Sequence, residues 1–211
     1  MTEIQSNRPI FKNLGGWLCL DFVNTQNWGT HERRYERFES YDDFVRFARH
    51  FELLTEAEAH QLREEAAQRP EEAIAMFEAG LALRDMLHRI FAAVASKQTP
   101  PPADLATLNS LLSQTLPHLR LIPSGKGFAW GWARTETDLE GVFWPVVYSA
   151  AELLTSEKLA RLGQCAGEDC GWLFLDTSRN HSRRWCEMQH CGNRVKARRH
   201  YRRRQTGPSP V

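Results

Sequence analysis

Residues 165–191 read CAGEDCGWLFLDTSRNHSRRWCEMQHC and contain four of the five cysteines of the 211-residue chain. Cys165, Cys170, Cys186 and Cys191 form the pattern C-x4-C-x15-C-x4-C. Two close cysteine pairs separated by a short insert are typical of a zinc site, because each pair supplies two thiolates to one side of the ion. Four thiolates leave no open coordination position, so we expect one structural Zn²⁺ per chain rather than a hydrolytic centre.

The insert between the two cysteine pairs predicts a β-hairpin. Its apolar segment, Trp172 to Asp176, is typical of a strand, and the polar segment Thr177 to His181 is typical of a turn. We expect Ser182 to Trp185 to form the returning strand. A hairpin between two metal-binding loops is a usual way for so small a module to fold around one ion.

The segment after Cys191, GNRVKARRHYRRRQ, lacks Pro and interior Gly and predicts a basic helix that ends at residues 206–208. Ala197 and Tyr201 lie one turn apart, and we expect them to pack on the hairpin. The cations lie on two neighbouring stripes of this helix, and guanidinium groups match phosphate oxygens well. The side chains that we expect to contact nucleic acid are Arg183, Arg184, Arg194, Lys196, Arg198, Arg199, Arg202 and Arg203. For Arg194 we weigh two roles, contact with a guanine edge and a structural cap on carbonyls of the zinc site.

Charge is distributed unevenly along the chain. Residues 1–157 carry a net charge of −7 and residues 158–211 a net charge of +8, although the whole chain has a net charge of +1. A basic segment on an acidic body is typical of a protein that meets an anionic polymer. A solubilising tail is the simpler alternative. We therefore expect two domains, an acidic body at 1–157 and a basic zinc module at 158–211.

The zinc module resembles a known family. Cys191-Gly192-Asn193-Arg194, preceded by Arg183-Arg184-Trp185-Cys186, is similar to the signature of the bacterial CGNR zinc fingers. The segment Phe174 to Asn180 (FLDTSRN) resembles the hairpin of that family, and Gly15 to Thr25 (GGWLCLDFVNT) resembles the opening of the ABATE domain that accompanies the finger. The resemblance implies a stress-induced transcription regulator whose finger binds zinc and DNA.

The body is predicted to be mainly helical. Leu18, Leu20 and Phe22 alternate with Cys19 and Asp21, which predicts a first strand with Cys19 in the core or at its edge. A second β signal is a hairpin from Leu119 to Trp132. Helices are predicted around Phe44–Leu54, from the capping box at Thr55 and Glu58 to Gln68, around Leu83–Val94, around Leu105–Thr115 and from Val142 to Leu162. The expected fold is α+β and mainly helical: a helical body with a small antiparallel sheet, and a four-cysteine zinc module made of a hairpin and a basic helix.

The sequence contains no pattern typical of an enzyme. It lacks G-x-S-x-G, a phosphate-binding Gly loop and H-E-x-x-H, so we expect no catalytic activity. No apolar run is long enough to cross a bilayer, and the N-terminus has no secretory-signal layout, so we expect a cytoplasmic protein.

One polar segment of the body is a candidate ligand loop. Asn24, Thr25 and Trp28, with His31 nearby, follow the predicted first strand, where amides and an indole could line a small-molecule pocket. The alternative is a structural turn in which the Asn side chains bond to backbone and Trp28 covers the core.

Together these patterns favour a zinc-containing, DNA-binding transcription regulator whose body responds to a small-molecule effector or forms a homodimer. Two alternatives remain open. The module could bind RNA instead, since zinc ribbons also bind RNA. It could also be a protein-interaction module that docks its basic helix on an acidic partner or on its own body.

Overall fold

The computed structural model describes residues 11–29, 36–134 and 138–205, without the side chains of residues 199, 200 and 202–205. These residues form seven α-helices and two antiparallel two-stranded sheets, so the predicted α+β, mainly helical fold is confirmed. The helices are α1 Leu18–Val23, α2 Tyr41–His50, α3 Glu56–Gln68, α4 Pro70–Ala95, α5 Pro102–Thr115, α6 Trp144–Thr155 and α7 Asn193–Gln205. The strands are β1 Leu119–Ser124, β2 Gly127–Trp132, β3 Leu162–Gln164 and β4 Leu173–Leu175. Over the part of the chain that the structure describes, no helix is both long and apolar enough to cross a membrane.

The first element is a helix, so the prediction of a strand at residues 18–22 is wrong. Every residue from Cys19 to Val23 is buried, and alternation cannot identify a strand where no side of the segment is exposed. The Trp17 carbonyl accepts the first helical hydrogen bonds, and the Asp21 carboxylate accepts the amides of Leu14 and Gly15 at 2.8 and 2.7 Å. Burial raises the pKa of Asp21 to about 6, although these two hydrogen bonds oppose the shift.

The predicted helices of the body are present and surround an aromatic core. The capping box is confirmed, since Thr55 accepts the Glu58 amide at 3.2 Å and Glu58 accepts the Thr55 amide at 2.6 Å. Phe38 and Phe44 lie at the centre of the core with ring centroids 4.3 Å apart. Gly80 of α4 allows this packing, because a Cβ there would lie 2.5 Å from the Phe44 ring.

The sheet of β1 and β2 is the predicted hairpin. Leu119 pairs with Trp132 at one end and Ser124 with Gly127 at the other, so the turn consists of Gly125 and Lys126. Gly125 has a φ of +56°, a conformation that favours glycine.

The predicted helix from Val142 to Leu162 is shorter than expected. It ends at Thr155, because Ser156 adopts an extended conformation, and a 3₁₀ helix at Glu157–Arg161 leads into β3. The expected domain boundary between residues 157 and 158 falls inside this 3₁₀ helix.

The second sheet pairs β4 with β3, which corrects the predicted hairpin. Residues 182–185 are not a strand, although the predicted strand at 172–176 is present as β4. The returning segment is held by side chains instead, since Asp176 accepts the backbone amides of Ser178 and Arg183 at 2.8 and 2.9 Å. These hydrogen bonds close the loop between β4 and the second cysteine pair and lower the pKa of Asp176, with the Ser178 hydroxyl contributing most.

Strand β4 also belongs to the core of the body. Leu173 and Leu175 are buried among the side chains of the helices, and β3 and β4 both contact α4. The segment between the two cysteine pairs therefore supplies part of the body's hydrophobic core.

Candidate metal centre and nucleic-acid surface

The four predicted ligands converge on one point. The Sγ atoms of Cys165, Cys170, Cys186 and Cys191 all lie within 4.8 Å of one another, and all four residues are buried and free of disulfides. The Sγ atom of Cys186 lies 3.5 Å from that of Cys170 and 3.6 Å from that of Cys191. Tetrahedral zinc with four thiolates at its usual bond length places sulfurs about 3.8 Å apart, so the cluster has the size of a Zn²⁺ site.

The first cysteine pair lies in a tight loop. Cys170 donates its amide to the Gly167 carbonyl at 3.1 Å, and Cys165 donates its amide to the Trp172 carbonyl at 2.7 Å. Gly167 lies directly against the sulfurs, because a Cβ there would be 3.6 Å from the Cys165 Sγ and 3.5 Å from the Cys191 Sγ. The backbone of Gly167 thus covers the sulfurs on one side.

The clustered thiols also shift one another's pKa values. Hydrogen bonds from the other thiols lower the pKa of Cys165, and the interaction with Cys165 raises the pKa of both Cys170 and Cys186. Four neighbouring thiolates repel one another unless a positive ion lies between them. The ligand set and the size of the cluster identify one structural zinc site, in which the metal would crosslink the two cysteine pairs.

The second cysteine pair positions the basic helix. The amide of Cys191 bonds to the Glu187 carbonyl at 3.0 Å, and a π-helical turn at Met188–Gly192 runs directly into α7. The predicted basic helix is therefore confirmed, and its first turn is attached to a metal ligand.

Arg183 is a structural residue, although it was predicted to contact nucleic acid. Its guanidinium donates to the carbonyls of Leu14, Leu175, Trp185 and Cys186 at 2.6–3.1 Å. It also lies 4.3 Å from the centroid of the Phe174 ring. These partners use four of its five N–H donors, so Arg183 joins the N-terminal segment, β4 and the second cysteine pair.

Three of the predicted nucleic-acid contacts are exposed cations. Arg184, Arg194 and Lys196 project from the finger surface, and Arg184 lies over the Trp185 ring. Within the described part of the chain, Arg194 and Lys196 have no hydrogen bond or ion pair, so the structure does not support the capping role for Arg194. The backbone of Arg199, Arg202 and Arg203 lies in α7, and their side chains are outside the described residues.

Arg198 bonds to the finger itself. Its guanidinium pairs with Glu168 at 2.7 Å and Asp169 at 3.0 Å, both in the loop of the first cysteine pair. These contacts raise the pKa of Arg198, with Asp169 as the main cause. Arg198 therefore ties α7 to the first cysteine pair.

The expected packing of Ala197 and Tyr201 on the hairpin is wrong. Ala197 is exposed, and 65% of the Tyr201 surface is accessible. Val195, which is half-buried, marks the covered side of the helix instead. Ala197 and Tyr201 therefore face solvent beside the cations.

The candidate ligand loop joins the body to the finger. Asn24 is buried, and its side-chain amide exchanges two hydrogen bonds with the backbone of Leu173, at 2.8 and 2.9 Å. The Thr25 hydroxyl is also buried and donates to the Phe22 carbonyl at 2.8 Å. Both side chains are occupied by the protein's own backbone, so these contacts favour the structural turn over the ligand pocket; His31 lies outside the described residues.

Trp28 also connects the body to the finger. Its ring stacks on His88 of α4 with centroids 3.7 Å apart, and its amide donates to the Cys170 carbonyl at 2.8 Å. Burial lowers the pKa of His88 to about 4, partly opposed by a hydrogen bond to the backbone of Gly171. Gly171 also packs tightly here, since a Cβ on it would lie 2.8 Å from the Trp28 Cβ. The loop therefore links α4 directly to a zinc ligand.

The sequence did not predict that His88 and Arg183 contribute to the contacts between the body and the finger. A lone histidine in a helix gives no signal of its partner, and the arginine belongs to a run whose charge suggested another role. The neighbouring Phe174-Leu175-Asp176 segment was the available signal for Arg183, because a buried strand leaves carbonyls at its end that need donors.

Two family models match the chain. Residues 16–157 match the ABATE family, described as "putative stress-induced transcription regulator", and residues 161–204 match the CGNR zinc finger. No match was found among curated proteins.

Proposed function

Because the chain belongs to the ABATE family and ends in a CGNR zinc finger, we propose that it is a zinc-dependent transcription regulator that binds duplex DNA through α7. The observation that carries the proposal is the set of exposed cations on and beside a helix that is attached to the metal site. Residues 1–157 carry a net charge of −7 and residues 158–211 a net charge of +8, so the excess of positive charge lies in the finger segment.

The dimensions of α7 suit the major groove. Thirteen residues make a helix about 20 Å long, and the groove of B-DNA admits one helix. The solvent-facing side presents Arg194, Lys196, Ala197 and Tyr201. In this arrangement Arg194, at the start of the helix, reaches a guanine edge, and Lys196 neutralises a phosphate.

Arg198 contributes as well, despite its ion pairs. The side chains of Arg198 and Glu168 are 42% and 54% exposed, so solvent screens this ion pair and a phosphate can replace Glu168 as a partner of Arg198. The nucleic-acid contacts that we propose are Arg184, Arg194, Lys196, Arg198, Arg199, Arg202 and Arg203.

We assign the response to a small-molecule effector to the acidic body. With the loop at Asn24 occupied by structural contacts, the candidate effector site is a largely apolar groove of about 600 Å³ between α2, α3 and α4. Tyr41 and Phe77 form an aromatic wall. Glu39 and the ion pair of Arg63 with Asp42 add charged groups, so the groove suits an amphipathic small molecule.

The test is the salt dependence of binding by the zinc-loaded protein. If about five cations contact phosphates, log affinity for duplex DNA falls by about 4 to 5 per decade of salt. Lys196→Ala should make this slope shallower by about 0.9 and weaken all sequences alike, whereas Arg194→Ala should cost about 1–3 kcal/mol at one base position. Lys126→Ala, a cation at the turn of the other sheet, is the matched control and should change neither.

The alternatives give different results in the same assay. Tighter binding to structured RNA than to duplex DNA, with the same variants affected, would assign the finger to RNA. Salt-insensitive binding to an acidic protein, without DNA or RNA binding at low salt, would replace the nucleic-acid function by protein docking.

A further inference from the structure

The hairpin of β1 and β2 carries large apolar side chains into solvent. The exposed fractions are 63% for Leu121, 76% for Phe128 and 55% for Trp130. Pro123 is exposed as well. Leu, Phe and Trp side chains with half or more of their surface exposed are unusual when they lie side by side, and such a patch is typical of an interaction site.

The strand register places these side chains on one face. Leu121 is opposite Trp130 and Pro123 is opposite Phe128, and alternate residues of a strand point to the same side. At the base of the same face, Trp132 contacts the rings of Trp144 and Tyr148 in α6. The apolar ladder thus begins on the body and continues into solvent; we call Leu121, Pro123, Phe128 and Trp130 the hairpin face.

We propose that the hairpin face is the interface through which two copies of this chain form a two-fold dimer. An isolated two-stranded sheet is at best marginally stable in water, so a covered face would stabilise the hairpin. A two-fold axis brings the same patch of both copies together, which requires a surface that complements itself. A face of four apolar side chains without a charge meets that requirement, because nothing on it repels its own copy.

The size and composition of the face also fit a second copy. Its four side chains expose on the order of 500 Å², and a stable interface buries about 800 Å² on each partner. Two copies packed through this face would bury on the order of 1,000 Å² in total, which reaches the lower limit for a specific interface and places the aromatic side chains at its centre. Phe, Trp and Leu without charge are the composition of an interface core rather than its rim.

A lipid surface fits less well. The hairpin carries only two cations, Arg120 on the opposite side of β1 and Lys126 at the turn, and the body to which it is attached carries −7. Anionic lipids repel an acidic body and attract only clustered cations. We therefore assign the face to a protein partner with the same apolar surface.

The experiment measures the mass of the full zinc-loaded chain by sedimentation equilibrium without nucleic acid. We expect a dimer, twice the chain mass of 24.3 kDa, at micromolar concentrations. Phe128→Ser should weaken dimerisation by about 30-fold or more, as expected when a central aromatic side chain is lost. Ile122→Ser, which removes an exposed apolar side chain (45%) from the opposite face of β1, is the matched control and should leave the dimer unchanged.

Zinc content and the circular dichroism spectrum check that each variant is folded. A monomeric wild-type chain at about 100 µM, well above the Kd of a stable dimer, or a Phe128→Ser variant that dimerises normally, would overturn the proposal. Binding of a monomeric chain to phosphatidylserine vesicles, lost in Phe128→Ser, would also overturn it and assign the face to lipid. Because the assay contains no DNA, its outcome is independent of the proposed function of the finger.

Discussion

The two small sheets among the described residues have opposite surroundings. Strands β1 and β2 have six residues each, and their apolar face is largely exposed. Strands β3 and β4 have only three residues each, yet all of β4 is buried. The shorter sheet lies between the helices of the body and the metal site. The apolar face of the longer sheet is packed against α6 at Trp132, while its other side chains are exposed.

The comparison indicates that burial of its side chains stabilises a two-stranded sheet more than the length of its strands does. Six residue pairs bring more backbone hydrogen bonds than three, but each such bond contributes little net free energy in water. Burial of Leu173 and Leu175 contributes about 1.5–3 kcal/mol for each side chain. We therefore expect that substitutions which disrupt the contacts of β3 and β4 with the body or with the metal site lower the stability of that sheet. The same substitutions should leave the sheet of β1 and β2 unchanged.

The largest expected effect comes from removing the metal. In Cys186→Ser, the finger should lose on the order of 10 kcal/mol of folding free energy, and α7 should unfold while the body helices remain. The thermal midpoint of the body should also fall, because β4 leaves its core. Circular dichroism and zinc content measured on one sample would show this.

Cys19→Ala is the control for Cys186→Ser. Cys19 is fully buried in α1 and is not one of the four clustered cysteines, so its replacement should lower stability with one zinc still bound. Retention of both zinc and α7 by Cys186→Ser would contradict the assigned ligand set.

A smaller effect is expected from Asn24→Ala. This change leaves the amide and the carbonyl of Leu173 buried without partners, at a cost of about 2–4 kcal/mol. Denaturant unfolding would measure it, with Asn109→Ala on the exposed side of α5 as a control that should stay within about 0.5 kcal/mol. An unchanged stability together with a lost metabolite affinity would instead restore the ligand-loop hypothesis.

The smallest effect is a pH dependence at His88. Its pKa is about 4 in the folded protein and 6.5 in the unfolded chain, so neutral His88 contributes stability above pH 6.5 that is lost as the pH falls toward 4. Between about pH 7.5 and about pH 5 the wild type should lose about 2 kcal/mol relative to His88→Phe, which keeps a ring beside Trp28 but does not titrate. A stability difference between the two proteins that is the same at both pH values would show that His88 does not titrate at this join.

Local signals in the sequence were sufficient for much of the fold. The cysteine spacing, the capping box at Thr55 and the hairpin at 119–132 each involve residues close together in the chain. The metal ligands and the basic helix were predicted for the same reason, since their pattern is contained in one short segment.

Contacts between distant residues could not be predicted from one sequence. Asn24 and Leu173 are 149 positions apart, so nothing near either residue indicates the other. The pairing of β4 with β3 instead of residues 182–185 is a similar case, because three-residue strands leave almost no periodicity. The structural role of Arg183 was not predicted because its charge is visible in the sequence and its four carbonyl partners are not.

The burial of β4 in the core of the body has a consequence for the order in which the chain is made. Leu173 and Leu175 leave the ribosome after all the helices of the body, and Cys186 and Cys191 leave later still. A nascent chain therefore has its helices before β4 can fill the core, and the two cysteine pairs can share a metal only after that. In a cell starved of zinc, newly made chains should expose apolar surface to chaperones and proteases, so the abundance of the protein would follow the zinc supply.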